Sequence, residues 1–263
     1  VTSSDAVIAA LRTEHHVLAD LVSSFGEDDL ARPSGASEWE ISQVLSHLGS
    51  GAEITRATLR AALSGEPTPG RDFLRTVWDR WNAMGRGQRA DEFLQANQTL
   101  TALYESLDAD TRKSVRVDVG FLPAPVDLAT AARLRLSELA LHSWDVRVAF
   151  DADSALLPSA TSRLLHGAPD LTGWVAKPER LDGKHAIIHV TTSGPMSVFA
   201  LRLDERISVD FDVQGEPDGT LTLPAESWLR LVAGRLAPRH TPSGVIATGA
   251  ADLDLLRRVF PGY

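Results

Sequence analysis

Cysteine is absent from this chain. Its absence excludes disulfides, cysteine-ligated zinc and a cysteine nucleophile, so any thiol chemistry must use a thiol carried by a small molecule. Basic charge is also in short supply. A net charge of −9 argues against a nucleic-acid surface, which needs a basic patch to displace counterions. No apolar run approaches the roughly 18 residues that span a bilayer, so no membrane role is expected. Residues 1–25 carry polar groups throughout and lack the apolar core of a signal peptide, and a cytoplasmic location is expected. What remains is a chain of 263 residues, 43% of them apolar, enough for one large domain or two ordinary ones with real cores. The oligomeric state stays open, a monomer included.

The first half reads as helix. Ser4-Asp5 caps a helix with Val7, Ile8, Leu11, Val17, Leu18, Leu21 and Val22 as its apolar face, ending at Phe25-Gly26. A second helix runs from Trp39 or Glu40 to about Leu63. A third begins after Gly70 with Phe73, Leu74, Val77 and Trp78 as its face, is interrupted at Gly85-Arg86-Gly87, and resumes from Asp91 to Leu107. Residues 115–127 read as an irregular connection, and a last helix covers 128–150. Four long helices with short connections predict a four-helix bundle.

The second half changes period. Residues 152–174 read as helix or loop. Strands are expected at 186–190, 197–203 and 207–213, with Asp204-Glu205-Arg206 as a hairpin turn, then at 220–223 and 245–247. Pro224 suits the first turn of a helix reaching Gly234, and a final helix covers 251–259. The expected organisation is a helix bundle at 1–152 followed by a smaller α+β domain at 153–263.

Glu138 and His142 stand four residues apart in the last helix of the bundle, and so lie on one face a turn apart. A carboxylate and an imidazole so placed can share a divalent cation, and a histidine from another helix, such as His47, would complete a two-His, one-carboxylate set with open coordination positions. Spacing alone does not decide this. His16 and Asp20 share it and read as helix surface. His185 and His189 share it on a strand, where four residues span roughly 13 Å, too far for one ion. Arg135, Glu138, His142 and Asp145 fall within about 80° of arc on a helical wheel. That stripe is either a solvated face or, bordered as it is by Leu134, Leu139, Leu141, Val146 and Val148, a face turned to an internal site. His47, at the edge of the Ile41, Val44, Leu45, Leu48 face, is open in the same way.

The segment Trp39-Glu40-Ile41-Ser42-Gln43-Val44-Leu45-Ser46-His47-Leu48 resembles the first motif of the mycothiol-dependent maleylpyruvate isomerase family, within the broader DinB-like helical bundles. Arg135-x-x-Glu138-x-x-x-His142-x-x-Asp145 resembles the second. The second half is more loosely similar to the sterol-carrier-like α+β domain that follows the bundle in that family. The resemblance implies a divalent metal, usually zinc, on His47, Glu138 and His142. It implies mycothiol as the thiol, and a small electrophilic substrate. It also implies a functional arginine in the C-terminal domain, for which Arg235, after Gly234, is the candidate, with Arg230 and Arg239 as substitutes. A guanidinium there suits a substrate carboxylate; the other reading is a helix-end arginine satisfying carbonyls. Asp145 can fix the tautomer of a ligand imidazole or be a surface carboxylate, and Arg135 can hold Glu138, meet an anionic ligand or form an ordinary ion pair. Trp39 and Trp228 read as packing residues.

The implied chemistry is a metal-activated thiolate that adds to a cis double bond conjugated to a carbonyl, lets the adduct rotate, and leaves the trans product. A mycothiol S-transferase is the nearest alternative. A non-enzymatic carrier of an apolar ligand is an alternative of another class.

Overall fold

The computed structural model describes residues 3–165, 172–173 and 175–262. The chain divides into two compact units, Val1–Asp151 and Ala152–Tyr263.

In the first unit, α1 (Ser4–Val22), α3 (Ile41–Ser64), α5 (Arg86–Ser106) and α7 (Leu128–Arg147) form a four-helix bundle. α1 packs on α5 and α7, and α3 packs on the same two. Local chemistry sets the ends. The Ser3 hydroxyl accepts from the amide of Ala6, and the Asp127 carboxylate accepts from that of Thr130 (2.7 Å). The Glu40 N–H donates to the Gln43 side chain at the start of α3 (2.9 Å), and Gly65, at φ 72°, ends that helix in the left-handed region. α4 (Arg71–Asn82) lies on α3. The approach is close: a Cβ on Gly49 would land 2.1 Å from Cη2 of Trp81, so only glycine fits there.

Several expectations need correction. α5 begins at Arg86, not Asp91, because Gly85 caps it and Gly87 falls in the first turn, where a glycine interrupts no established ladder. α4 buries Val77 and Trp81, leaving Phe73 and Trp78 exposed. The connection at 115–127 holds an antiparallel ladder of β1 (Arg116–Val117) with β2 (Val126–Asp127), preceded by a short α6 (Ala109–Ser114). A short α2 (Glu27–Leu30) follows α1.

The second unit is α+β. Its sheet runs β5 (Ser208–Asp210), β4 (Ser197–Leu203), β3 (Ala186–Ser193), β6 (Gly219–Pro224), β7 (Ile246–Gly249); β3 and β6 are parallel and the other pairs antiparallel. Register places Val190 between Phe199 and Leu221 on the buried face. There Trp228 of α9 (Ala225–Val232) makes T-shaped contacts with Phe199 at 5.0 Å and Phe260 at 6.4 Å. α10 (Leu253–Val259) packs on α9. The strand expected at 207–213 is three residues long, and Pro224 closes β6 as the residue before α9 rather than entering the helix. α8 (Pro158–Leu164) occupies part of the expected 152–174 stretch; residues 166–171 and Trp174 lie outside the described residues. No helix among the described residues is long and apolar enough to cross a membrane.

One buried group carries a measurable cost. Glu14 of α1 is fully buried against α7, and burial pushes its carboxyl up to about 7, against the pull of Arg147 and Ser143. The folded state therefore binds more protons than the unfolded one between the ordinary carboxyl range and pH 7. The favourable contribution is complete below about pH 4.5 and is lost as pH rises through 7. Glu14→Gln is expected to remove this slope, equalling the wild type near pH 5 and exceeding its stability at pH 8 by about 2–3 kcal/mol. Urea denaturation at the two pH values measures the difference; the same pH slope in both proteins would contradict it.

Candidate metal centre

α3 and α7 bring His47, Glu138 and His142 together: one ligand atom from each lies within 4.8 Å of the others. His47 Nε2–H donates to Glu138 Oε2 at 3.0 Å, and His142 Nε2 lies 3.8 Å from the same oxygen. Donors about 2 Å from a tetrahedral cation stand roughly 3.3 Å apart, so the two measured spacings bracket the value a cation requires. The donor set, two imidazoles and a carboxylate, suits zinc or a similar divalent ion and leaves positions open.

The helix that carries the pair has no solvated stripe. Arg135, His142 and Asp145 are buried, and Asp145 fully so, while α7 is apolar and buried at Leu136, Leu139, Leu141 and Val146. The polar arc of the wheel thus points into the protein, toward α3. Glu138 keeps some exposure, with 35% of its side chain accessible, consistent with a site open to small molecules.

The charges around Glu138 keep its carboxyl ionised. Burial alone would raise the Glu138 carboxyl, but the His47 hydrogen bond and the fields of His142, His47 and Arg135 prevail and hold it at about 2. It is therefore ionised wherever the protein works. His142 Nδ1–H donates to Asp145 Oδ2 at 2.8 Å, which puts the proton on Nδ1 and leaves Nε2 to face Glu138 with a lone pair.

Arg135 lies beneath the site. Its Nη2 donates to the Leu48 carbonyl of α3 (2.9 Å) and to Asn97 Oδ1 of α5 (3.0 Å). Burial lowers its pKa to about 10, with Glu138 and Tyr104 acting to raise it, so it stays cationic at neutral pH. Asn97 Nδ2 in turn donates to His15 Nδ1 of α1 (3.0 Å). One polar chain thus joins all four bundle helices below Glu138. Asn97 and His15 carry no motif in the sequence, and nothing in their spacing announces this role.

Trp39, expected as a packing residue, packs against the site itself. It is half-buried, its ring centroid 5.3 Å from that of His47 and 5.9 Å from that of His142, nearly parallel to the latter. Trp228 does pack in the core of the second unit. The remaining spacings behave simply. His16 and Asp20 are exposed on α1, and His185 donates to Asp204 (2.9 Å), away from His189.

Arg235 belongs to the second unit and is buried. It follows Gly234, at φ 73°, which ends α9, and its Nη1 donates to the Ala233 carbonyl (2.9 Å). Arg230 is held by a two-pronged pair with Glu226 (2.7 and 2.9 Å) and by the His240 carbonyl, which occupies it structurally. Arg239 is exposed beside His240.

No curated protein sequence matches the chain. Solved structures that share its fold include the mycothiol-dependent maleylpyruvate isomerase and a histidine-to-alanine mutant of that enzyme. Each is 12% identical, with a TM-score of 0.65 over 96% of this chain and 97% of the other. The family model of the mycothiol maleylpyruvate isomerase N-terminal domain matches residues 11–147, more than half of the sequence and the segment that carries all three converging donors. The chain belongs to the mycothiol maleylpyruvate isomerase family.

Proposed function

We propose that this protein is a metal-dependent enzyme that uses mycothiol to act on a small electrophile, in the manner of a maleylpyruvate cis–trans isomerase. The observation that carries the reading is the convergence of His47, Glu138 and His142, in a chain of that family with no cysteine of its own. When bound, a divalent cation, zinc first among the candidates, supplies Lewis acidity that lowers the pKa of a thiol brought to it, and mycothiol supplies that thiol.

The chain's own residues have separable tasks in this reading. His47, Glu138 and His142 hold the cation and leave room for small molecules beside it. Asp145 keeps the His142 proton on Nδ1. Arg135 ties α7 to α3 through the Leu48 carbonyl and to α5 through Asn97, so the two ligand-bearing helices keep their spacing. Arg235 is the proposed partner of a substrate carboxylate, its fork oriented by the bond to the Ala233 carbonyl.

The test is an assay of chelator-stripped and zinc-reconstituted protein, with mycothiol, against cis-configured conjugated acids including maleylpyruvate. An isomerase returns product of unchanged mass and free mycothiol. A transferase gives a thioether of the summed mass. A carrier binds ligand with or without metal and turns nothing over. Turnover that survives removal of either the metal or the thiol would refute the proposal.

A further inference from the structure

Residues 33–40 form a tight loop pinned at several points. The Ser34 amide donates to the Trp39 carbonyl and the Ile41 amide to the Arg32 carbonyl, both at 2.9 Å. The loop's middle is fastened to α7, where the Gly35 amide donates to the Asp145 carbonyl at 2.7 Å. A Cβ on Gly35 would stand 2.8 Å from Val148 and 3.0 Å from Asp145, so glycine permits the seating. Glu38 adopts φ 68°, a conformation that non-glycine residues accept only under constraint. At the exit, Arg86 grips the Glu40 carboxylate with two hydrogen bonds of 2.8 and 2.9 Å. So much fastening holds one half-buried indole against two particular rings, the imidazoles of His47 and His142.

On the reading that these imidazoles hold a cation, we propose that Trp39 is a positioning residue for the metal centre, the loop pressing its indole against both ligand rings so that they are aligned before any ion arrives. His47 needs such support. Its side chain is 42% exposed, and among the described residues the bond to Glu138 is that side chain's one hydrogen bond. Left alone, it would lose rotamer freedom on binding the ion; held by Trp39, it has already done so. Asp145 links the two halves of the device. Its carboxylate accepts from His142 Nδ1, while its carbonyl anchors the loop that brings Trp39 onto the same ring.

The probe is Co2+, followed by calorimetric titration and by its visible ligand-field absorption, together with the thermal midpoint of the metal-free protein. Trp39→Ala is expected to weaken Co2+ binding by roughly 10- to 100-fold, the range seen when groups that orient metal ligands are removed, and to change the visible spectrum. Trp39→Phe, which keeps an aromatic face, should restore affinity to within a few-fold of wild type. A packing role alone would lower the thermal midpoint and leave Co2+ affinity and spectrum as they are. Trp39→Leu fills the volume without an aromatic face and should show the same loss as Ala, so it decides the matter if the Ala variant does not fold. Wild-type affinity in Trp39→Leu would overturn the role of Trp39 alone. Wild-type protein that binds no Co2+ would overturn the metal centre itself, and this role with it.

Discussion

His47→Ala is expected to weaken divalent-cation binding by roughly 100- to 1,000-fold and to abolish turnover while leaving the fold standing. The magnitude follows from the affinity of protein zinc sites, which shared among their ligands is about 3–4 kcal/mol each. Stability should change little. In the metal-free protein the substitution removes a partly exposed hydrogen bond to Glu138, a contact worth about 0–1 kcal/mol. His142→Ala should lose the cation equally but cost stability as well, because His142 is buried and its removal takes a hydrogen bond from the Asp145 carboxylate, which is wholly inaccessible. Metal titration and thermal denaturation of the two variants separate these effects. Full cation binding by both would contradict the ligand assignment.

Asp145→Ala should have the second large effect, without touching the cation directly. It leaves the buried Nδ1–H of His142 without its carboxylate acceptor, and it opens a cavity behind the ring. The expected loss is about 2–4 kcal/mol of stability, together with roughly 10- to 100-fold in cation affinity as the imidazole loses its fixed tautomer and orientation. Asp145→Asn keeps the shape and one acceptor oxygen, so it should recover most of the stability and only part of the affinity. Equal cation affinity in wild type, Ala and Asn would show that the bond to His142 serves packing alone.

How far the sequence discloses this depends on what each signal encodes. Helical periodicity reports which residues share a face, and so it delivers the long helices and the arc containing Arg135, Glu138, His142 and Asp145. It cannot report what lies opposite. Whether that arc meets water or protein is settled by α3, whose His47 lies 91 residues before Glu138 in the chain. The apolar pattern misleads at Phe73 and Trp78, because α4 rests on α3 along the narrow line of Val77 and Trp81. Turn residues mark the ends of strands but not their neighbours, and the pairing of β6 with β3 rather than with β5 is a long-range choice. Asn97 and His15 sit in helices whose sequence is polar at many positions, and only the fold selects them. Trp39 is legible as part of a motif and illegible in role, since a tryptophan beside a helix start is as compatible with core packing as with two imidazoles.

The proposed reaction needs a cation and an external thiol acting together on one small molecule. The direct measurement is proton NMR of maleylpyruvate incubated with zinc-reconstituted protein, with and without mycothiol. The trans isomer should accumulate only when both are present, with mycothiol recovered in full. Isomerisation that proceeds without mycothiol, or no isomerisation when metal and thiol are both supplied, would contradict it.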